Sequence, residues 1–154
     1  MNTHIKSAIL LTPFDQKYQN AVKQLILEGL VEHWGTIDPL KNPDLDDIRK
    51  SYKDNDFILA WHNGILVGTG ALVRFDSHTS KIVRMSVKKD YRQRGIGKLI
   101  LDHLVDLASD TGHDQVVLET TQNWTEVIKF YTTYGFQITH YDNEDVYFKF
   151  RLDD

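Results

Sequence analysis

The sequence contains no cysteine, and this absence removes several kinds of chemistry at once. Disulfide bridges, zinc sites built on thiolates and cysteine nucleophiles are all excluded. The seven histidines include no pair with metal-ligand spacing on one predicted element. We therefore predict that the protein holds no metal.

A long apolar run and a net positive charge are also lacking. No apolar run approaches the roughly 18 residues that a membrane helix needs, and residues 1–6 do not begin like a secretory leader. The formal net charge of −4 gives no general attraction to nucleic acid or to an anionic membrane surface. We therefore expect a cytoplasmic protein with neither nucleic acid nor membrane as a partner.

Hydrophobic spacing predicts secondary-structure elements in the order β-α-α-β-β-β-α-β-α-β-β. The predicted strands cover residues 7–11, 56–61, 65–75, 81–88, 115–120, 136–141 and 146–152. The predicted helices are a first helix capped by Asp15, then residues 44–52, 95–111 and 123–135. This order indicates an α/β (α+β) class with a mixed sheet and helices on both faces. The length suits one domain, and we expect residues 1–154 to form it.

Short local signals support several of these boundaries. Asn63 and Gly64 form the dipeptide most typical of a tight β-hairpin. Gly112 is suited to end the helix before it in a left-handed conformation. Asn123 followed by Glu126 three residues later predicts a capping box at the start of the last helix.

The segment most informative about function is residues 84–98, RMSVKKDYRQRGIGK. Here a predicted strand enters a basic turn that opens the long helix, where unpaired N–H groups and the helix dipole favour anions. Gly95 and Gly97 would let a ligand approach the backbone closely. The cations around this point are Lys88, Lys89, Arg92, Arg94 and Lys98. The segment therefore predicts a site for a polyanion, most simply a pyrophosphate.

The spacing excludes two common pyrophosphate motifs. A P-loop would need glycine at position 92 and Ser or Thr at position 99, and the sequence has Arg92 and Leu99. The dinucleotide fingerprint would need glycine at position 100, where the sequence has Ile100. A tight turn bearing solvated charges is the structural alternative, and the strand-to-helix position favours the binding site.

Residues 92–97 read RQRGIG and resemble the signature Gln/Arg-x-x-Gly-x-Gly/Ala of the GNAT acetyltransferase superfamily. The surroundings are similar too, with a preceding strand segment at 85–87, a strand at 116–120 after the long helix, and a helix ending FYTTYGF at 130–136. The resemblance covers about two thirds of the chain by element order. It implies a mixed, mostly antiparallel central sheet of about seven strands.

The resemblance also implies a cosubstrate, acetyl-coenzyme A (acetyl-CoA), and roles for its binding residues. Its pantetheine arm would lie where one strand bends away from the next at a bulge, chiefly against the backbone of Met85, Ser86 and Val87. One N–H there would stabilise the oxyanion of the reaction. Its pyrophosphate would accept hydrogen bonds from the backbone of Arg92, Gln93, Arg94, Gly95, Ile96, Gly97 and Lys98.

Two residues are candidates for the proton transfers. By its position before the Gly-Phe ending, Tyr131 would protonate the leaving thiolate. The strand 81–88 has no carboxylate, so Glu119 near the end of the next strand is our candidate base. Tyr131 could instead be a core residue and Glu119 a polar strand end. Asparagine commonly stands seven residues before the tyrosine, and here Trp124 does, so no cofactor role is transferred to Asn123.

We predict an N-acyltransferase that moves an acetyl group from acetyl-CoA to a primary amine of a small molecule or peptide by direct attack in a ternary complex. A non-catalytic acyl-CoA-binding sensor or scaffold is the alternative. Homodimers are common in such folds, and the sequence does not decide that point. Asp44, Asp46 and Asp47 would suit a cationic acceptor if they lined the site. His33 and Trp34 fit either acceptor binding or helix-end packing equally well.

Overall fold

The computed structural model describes residues 8–38 and 40–152. Its strands are β1 (Ile9–Pro13), β2 (Asp56–His62), β3 (Ile65–Arg74), β4 (Thr79–Val87), β5 (Gln115–Thr121), β6 (Gln137–Asp142) and β7 (Asp145–Arg151). Its α-helices are α1 (Gln19–Trp34), α2 (Ile48–Ser51), α3 (Ile96–Asp110) and α4 (Thr125–Tyr134). Short 3-10 turns cover Gln16–Tyr18, Pro43–Asp46 and Lys89–Tyr91. The predicted order of elements is confirmed.

The strands form one sheet of seven in the order β1-β2-β3-β4-β5-β7-β6. Strands β1 and β2, β5 and β7, and β6 and β7 pair antiparallel, whereas β4 and β5 pair parallel. The parallel register is short, running from Thr79 opposite Gln115 to Lys81 opposite Val117. The predicted mixed, mostly antiparallel sheet is therefore confirmed.

The chain divides into two compact units. The first unit comprises Met1–Ala71 and Arg84–His103, and the second comprises Leu72–Val83 and Leu104–Asp154. The single domain over 1–154 stays a prediction.

Close packing around Ser86 organises the first unit. A Cβ atom added to Gly29 in α1 would lie 3.2 Å from the Ser86 hydroxyl oxygen. One added to Gly68 in β3 would lie 2.9 Å from the Ile100 Cδ1 atom and 3.2 Å from the Ser86 carbonyl oxygen. Because real Cβ atoms rarely come this close, Gly29 lets α1 approach the end of β4, and Gly68 lets the Ile100 side chain of α3 and the end of β4 approach β3. The buried residues of the first unit include Val22, Ile26, Ile48, Leu59, Val67, Ile96 and Leu101.

An aromatic cluster fills the second unit. Tyr131 of α4 lies 5.8 Å from Phe148 of β7 and 5.6 Å from Phe136, measured between ring centroids. Phe136 and Phe150 are 5.1 Å apart. Val116 and Leu118 of β5 and Val146 of β7 are also buried in this unit. Rings at these separations pack favourably beyond the area that they bury.

Several predicted boundaries are confirmed by backbone geometry. Asn63 and Gly64 have φ values of +49° and +79°, as a tight hairpin turn requires. Gly112 has φ +84° just beyond α3. Strand β1 begins at Ile9 and reaches Pro13, which an edge strand tolerates because its outer N–H groups need no partner. The predicted start of this strand, Ser7, lies outside the described residues.

Two predictions about helices are wrong. The predicted helix 44–52 is a 3-10 turn followed by α2, because Asp47 has an extended φ of −149° and its carboxylate caps the Lys50 N–H. The predicted capping box also fails. Helix α4 begins at Thr125, its cap residue is Trp124 with no side-chain cap, and Asn123 lies one residue further out.

Candidate active site

The turn before α3 has the backbone of an anion-binding loop. After the 3-10 turn Lys89–Tyr91, Gln93 has φ +60° and Gly95 has φ +84°. Alternation with left-handed residues turns successive N–H groups toward one side, and concavities of this kind bind anions. The loop then enters the 15-residue α3 at Ile96, whose free N–H groups and dipole act in the same direction.

Arg92 is tied into the protein rather than left free. Its guanidinium donates to both carboxylate oxygens of Glu32 in α1, at 2.9 and 3.0 Å. Its Nε donates to the Val87 carbonyl at 2.8 Å. Arg92 therefore fastens the loop to α1 and to the end of β4. Its backbone N–H donates to the Lys89 carbonyl at 3.3 Å, so this N–H already has a partner within the protein. No local pattern pointed to Glu32 as a partner of Arg92, because the two residues are 60 positions apart.

The remaining loop cations differ in their surroundings. Lys98 pairs with Asp102 one helical turn later, at 3.1 Å. The Arg94 guanidinium carbon lies 5.5 Å from the centre of the Tyr91 ring. Lys88 and Lys89 are exposed. Part of the predicted positive charge is thus compensated within the protein, which leaves backbone N–H groups as the main feature of the loop.

Strand β4 is irregular just before the predicted pantetheine residues. Arg84 has φ +55°, which is uncommon for a residue with a side chain and rare within a strand. Its carbonyl accepts a hydrogen bond from the Thr69 hydroxyl at 2.8 Å. Met85, Ser86 and Val87 follow at once and are half-buried. The resemblance implied a bulge in this strand, and a left-handed residue lies there.

The Arg84 side chain forms a polar cluster with Asn42, Asp44 and Tyr52, here called the Arg84 cluster. The guanidinium donates to both Asp44 oxygens, at 2.7 and 3.0 Å, and to the Asn42 oxygen at 3.0 Å. The Tyr52 hydroxyl donates to Asp44 at 2.6 Å. Sequence reasoning missed this cluster, whose members are up to 42 residues apart.

The pKa values in this cluster follow from its contacts. Burial alone would raise the pKa of Asp44, but hydrogen bonds from Arg84 and Tyr52 and the Arg84 charge outweigh it, so the pKa lies below its usual value. Burial, helped by the hydrogen bond and charge of Asp44, raises the pKa of Tyr52 to about 12. At neutral pH the cluster is therefore an Asp–Arg ion pair with a neutral tyrosine.

The acidic residues near α2 do not form an unpaired negative patch. Asp44 pairs with Arg84, Asp46 lies 2.6 Å from the Lys23 ammonium, and Asp47 caps α2. Asp44 and Asp46 therefore each face a cation within the first unit, whereas Asp47 accepts from a backbone N–H, and the attraction of a cationic acceptor by these three carboxylates stays a prediction.

Glu119 lies in the second unit, on β5 opposite Tyr147 of β7. Its carboxylate accepts a hydrogen bond from the Lys81 ammonium at 2.6 Å, and its side chain is 34% exposed. The negative charge of Glu119 raises the pKa of Tyr147 above its usual value. Glu119 is therefore partly open to solvent and contacts both the flexible Lys81 side chain and, through a side-chain hydrogen bond, Tyr147.

Tyr131 also lies in the second unit, with 5% of its surface exposed. Its ring contacts Phe130, Phe136 and Phe148. Burial raises the pKa of Tyr131 well above its usual value, because the charged phenolate would be poorly solvated. The hydroxyl therefore stays protonated at neutral pH. The aromatic contacts agree with the core interpretation of this residue and are compatible with a proton donor.

Between residues 8 and 152, leaving out 39, no three His, Cys, Asp or Glu side chains come together as metal ligands. Within the same ranges, every helix is too short or too polar to pass through a bilayer.

Comparison with known proteins adds a family to this geometry. The model of the acetyltransferase (GNAT) family matches residues 21–136, which include the loop, the Arg84 cluster, Glu119 and Tyr131. The uncharacterised N-acetyltransferase YsnE of Bacillus subtilis is 30% identical over 83 residues, or 53% of this chain and 55% of YsnE. Matches to three B. subtilis relatives span between 53% and 61% of their lengths.

Two solved structures are similar to that of this protein over nearly the whole chain. A GNAT-family acetyltransferase of Staphylococcus aureus Mu50 superposes with a TM-score of 0.87 and 26% identity, covering 95% of this chain and 100% of that one. The PaiA N-acetyltransferase of Thermoplasma acidophilum, solved with coenzyme A, gives a TM-score of 0.82 at 16% identity, over 94% of this chain and 99% of that one. This second likeness concerns the fold alone.

Proposed function

The chain belongs to the acetyltransferase (GNAT) family, and from this premise we propose that it transfers an acetyl group from acetyl-CoA to a primary amine. The acceptor is a small molecule or a peptide, and the amine attacks directly in a ternary complex. The observation that carries the proposal is the loop before α3, where left-handed residues Gln93 and Gly95 follow an irregular strand. We further propose that residues 1–154 act as one domain in the cytoplasm.

The loop residues 92–98 suit the pyrophosphate of coenzyme A. Left-handed backbone and a helix N-terminus provide N–H donors for phosphate oxygens. The Arg92–Glu32 ion pair would keep these donors in place without a bound ligand, which reduces the entropy lost on binding. The backbone of Met85, Ser86 and Val87 would hold the pantetheine arm, and one of its N–H groups would polarise the thioester carbonyl.

Tyr131 would act as the proton donor. As the new C–N bond forms and the C–S bond breaks, the departing sulfur gains an electron pair and needs a proton. A tyrosine whose pKa is raised by burial keeps that proton at neutral pH, which supports this role.

Glu119 would act as the proton acceptor. The attacking amine must lose a proton as it becomes an amide, and a carboxylate acting directly or through water can take it. The Lys81 ammonium lies 2.6 Å from the Glu119 carboxylate, and partial exposure leaves room for a water molecule beside it. The net charge of −4 gives no support for a nucleic-acid or membrane partner.

Two matched glycine variants test the loop. Gly95 and Gly112 lie just before and after α3 and have the same φ of +84°, so Gly95→Ala and Gly112→Ala introduce similar backbone strain. We expect Gly95→Ala to weaken coenzyme A binding at least about tenfold by calorimetry, because the donors are displaced. Gly112→Ala should bind like the wild type. Equal binding by both variants would contradict the role of the loop.

Turnover distinguishes the enzyme from the alternative. The protein is mixed with acetyl-CoA and a panel of amines and peptides, and release of free thiol is followed. Transfer to any amine supports the proposal. Coenzyme A binding without transfer to any member of the panel would favour the sensor or scaffold. Absence of coenzyme A binding would contradict both the enzyme and the sensor or scaffold.

A further inference from the structure

We propose that Arg84 is a positioning residue, which holds β4 in its bent form by anchoring it to the segment 42–52. The proposal rests on the function proposed above, since it concerns the strand that would carry the thioester. It goes beyond that function because it assigns a role to a side-chain cluster, Asn42, Asp44, Tyr52 and Arg84, that neither binds coenzyme A nor transfers a proton.

The backbone at Arg84 needs an anchor. A residue with a Cβ atom is unfavourable at φ +55°, and such a conformation persists only when surrounding contacts fix it. One contact is the buried Thr69 hydroxyl, which donates to the Arg84 carbonyl. Without further contacts, this residue could return to the extended conformation of an ordinary strand.

The side chain supplies those further contacts. Its planar guanidinium donates three hydrogen bonds to Asp44 and Asn42. The Tyr52 hydroxyl also donates a hydrogen bond to Asp44. The Arg84 and Asp44 side chains are only 19% and 27% exposed, so solvent screens the pair weakly. Two parallel bonds fix orientation as well as distance, which a lysine ammonium could not do.

Anchoring of Arg84 also affects Met85, the next residue. Rotation about the Arg84 backbone turns the peptide that carries the Met85 N–H, one of the groups proposed to act on the thioester carbonyl. Ser86 is held separately, by packing against Gly29 and Gly68. Loss of the anchor would therefore turn the Arg84–Met85 peptide while the pyrophosphate loop, residues 92–98, keeps its own contacts to Glu32 and Val87.

The experiment separates the chemical step from cofactor binding. We expect Asp44→Asn and Arg84→Lys to lower kcat by about 10- to 100-fold while KM for acetyl-CoA changes by less than about threefold. The double variant should be no worse than about the poorer single variant, because both changes break one interaction. Asp46→Asn is the matched control, since Asp46 pairs with Lys23 outside the cluster and should keep kcat within about twofold.

A purely structural role would give a different pattern. If Asp44→Asn and Arg84→Lys only lowered the melting temperature while kcat at a permissive temperature stayed at the wild-type value, the proposal would be overturned. An equal loss of kcat in Asp46→Asn would overturn it as well.

A second measurement does not depend on activity. Amide hydrogen exchange at Met85, followed by NMR in the protein without ligands, should be faster in Asp44→Asn than in the wild type and unchanged in Asp46→Asn. Equal exchange in all three proteins would refute the anchoring. If the wild type neither binds coenzyme A nor turns over, the proposed function fails, and this measurement still decides whether Arg84 anchors the strand.

Discussion

Strand β4 carries two cations three residues apart, Lys81 and Arg84, and each holds a carboxylate in a different way. Arg84 grips Asp44 with two hydrogen bonds and shares it with Tyr52. Lys81 touches Glu119 through one oxygen, and the Glu119 side chain is the more exposed carboxylate of the two, at 34% against 27%.

The difference concerns what each carboxylate can still do. The Asp44 carboxylate oxygens accept hydrogen bonds from the planar Arg84 guanidinium and from the Tyr52 hydroxyl, so Asp44 is suited to fix the position of Arg84. Glu119 meets the flexible Lys81 ammonium and also shares a side-chain hydrogen bond with Tyr147, so the lysine side chain can move away without leaving the carboxylate buried and unpaired. A tightly held carboxylate therefore suits a positioning role, and a loosely held one suits proton transfer.

The largest effect should come from removing the charge of Glu119. We expect Glu119→Gln to lower kcat by about 100-fold or more, because general-base catalysis contributes about that much, with little loss of stability. Steady-state kinetics with a reactive amine and thermal unfolding measure the two quantities. Activity close to that of the wild type would show that Glu119 is not the base. The comparison would then no longer contrast a catalytic carboxylate with a positioning one.

Stability should show the opposite ranking. Arg84→Met leaves the Asp44 charge poorly solvated, and we expect a loss of about 2 kcal/mol in the free energy of unfolding, somewhat below the loss for a fully buried pair. Lys81→Met breaks a more exposed pair and should cost less than about 1 kcal/mol. Urea unfolding of both variants gives the values, and equal losses would mean that the two pairs do not differ as described.

The pH dependence of stability should identify Asp44. Its pKa is lower in the folded protein than the ordinary 3.8, so its contribution is complete above that value and is lost as the pH falls through the folded pKa. We expect Asp44→Asn to be less stable at neutral pH and to lose less stability on acidification than the wild type. Parallel curves of unfolding free energy against pH would contradict this assignment.

The smallest effect is a titration that reports the charge on Glu119. Because that charge raises the pKa of Tyr147, Glu119→Gln should move the Tyr147 pKa down toward its usual value. NMR of the labelled tyrosine ring carbon measures it directly. Asp44→Asn, which lies in the other unit, serves as the control and should leave the Tyr147 titration unchanged.

Local patterns allowed much of the fold to be predicted. Helix α3, its terminal Gly112, the Asn63–Gly64 hairpin and the glycine-containing loop all depend on neighbouring residues, and sequence spacing reports such dependence well. The failures are also local in origin. Asp47 gave no sign that it would leave the helical conformation, and Asn123 had the residues of a capping box without its geometry.

The polar contacts of the candidate site could not be predicted in the same way. Glu32 meets Arg92 across 60 residues, and Asp44 meets Arg84 across 40. These pairs are set by how α1 and the segment after it pack near β4, which residue spacing along the chain does not encode. Residue spacing therefore did not show that Asp44 pairs with Arg84, that Asp46 pairs with Lys23 or that Asp47 caps α2.

The tight fit around Ser86 limits what this region can become. Gly29 lies one helical turn before Glu32 on α1. The contact between α1 and the Ser86 hydroxyl therefore also determines where Glu32 lies relative to Arg92. A bulkier residue at position 86 or 29 would push the helix outward and pull that ion pair apart. The spacing between α1 and β4 therefore determines the position of the loop. Only very small residues at positions 29 and 86 preserve this spacing.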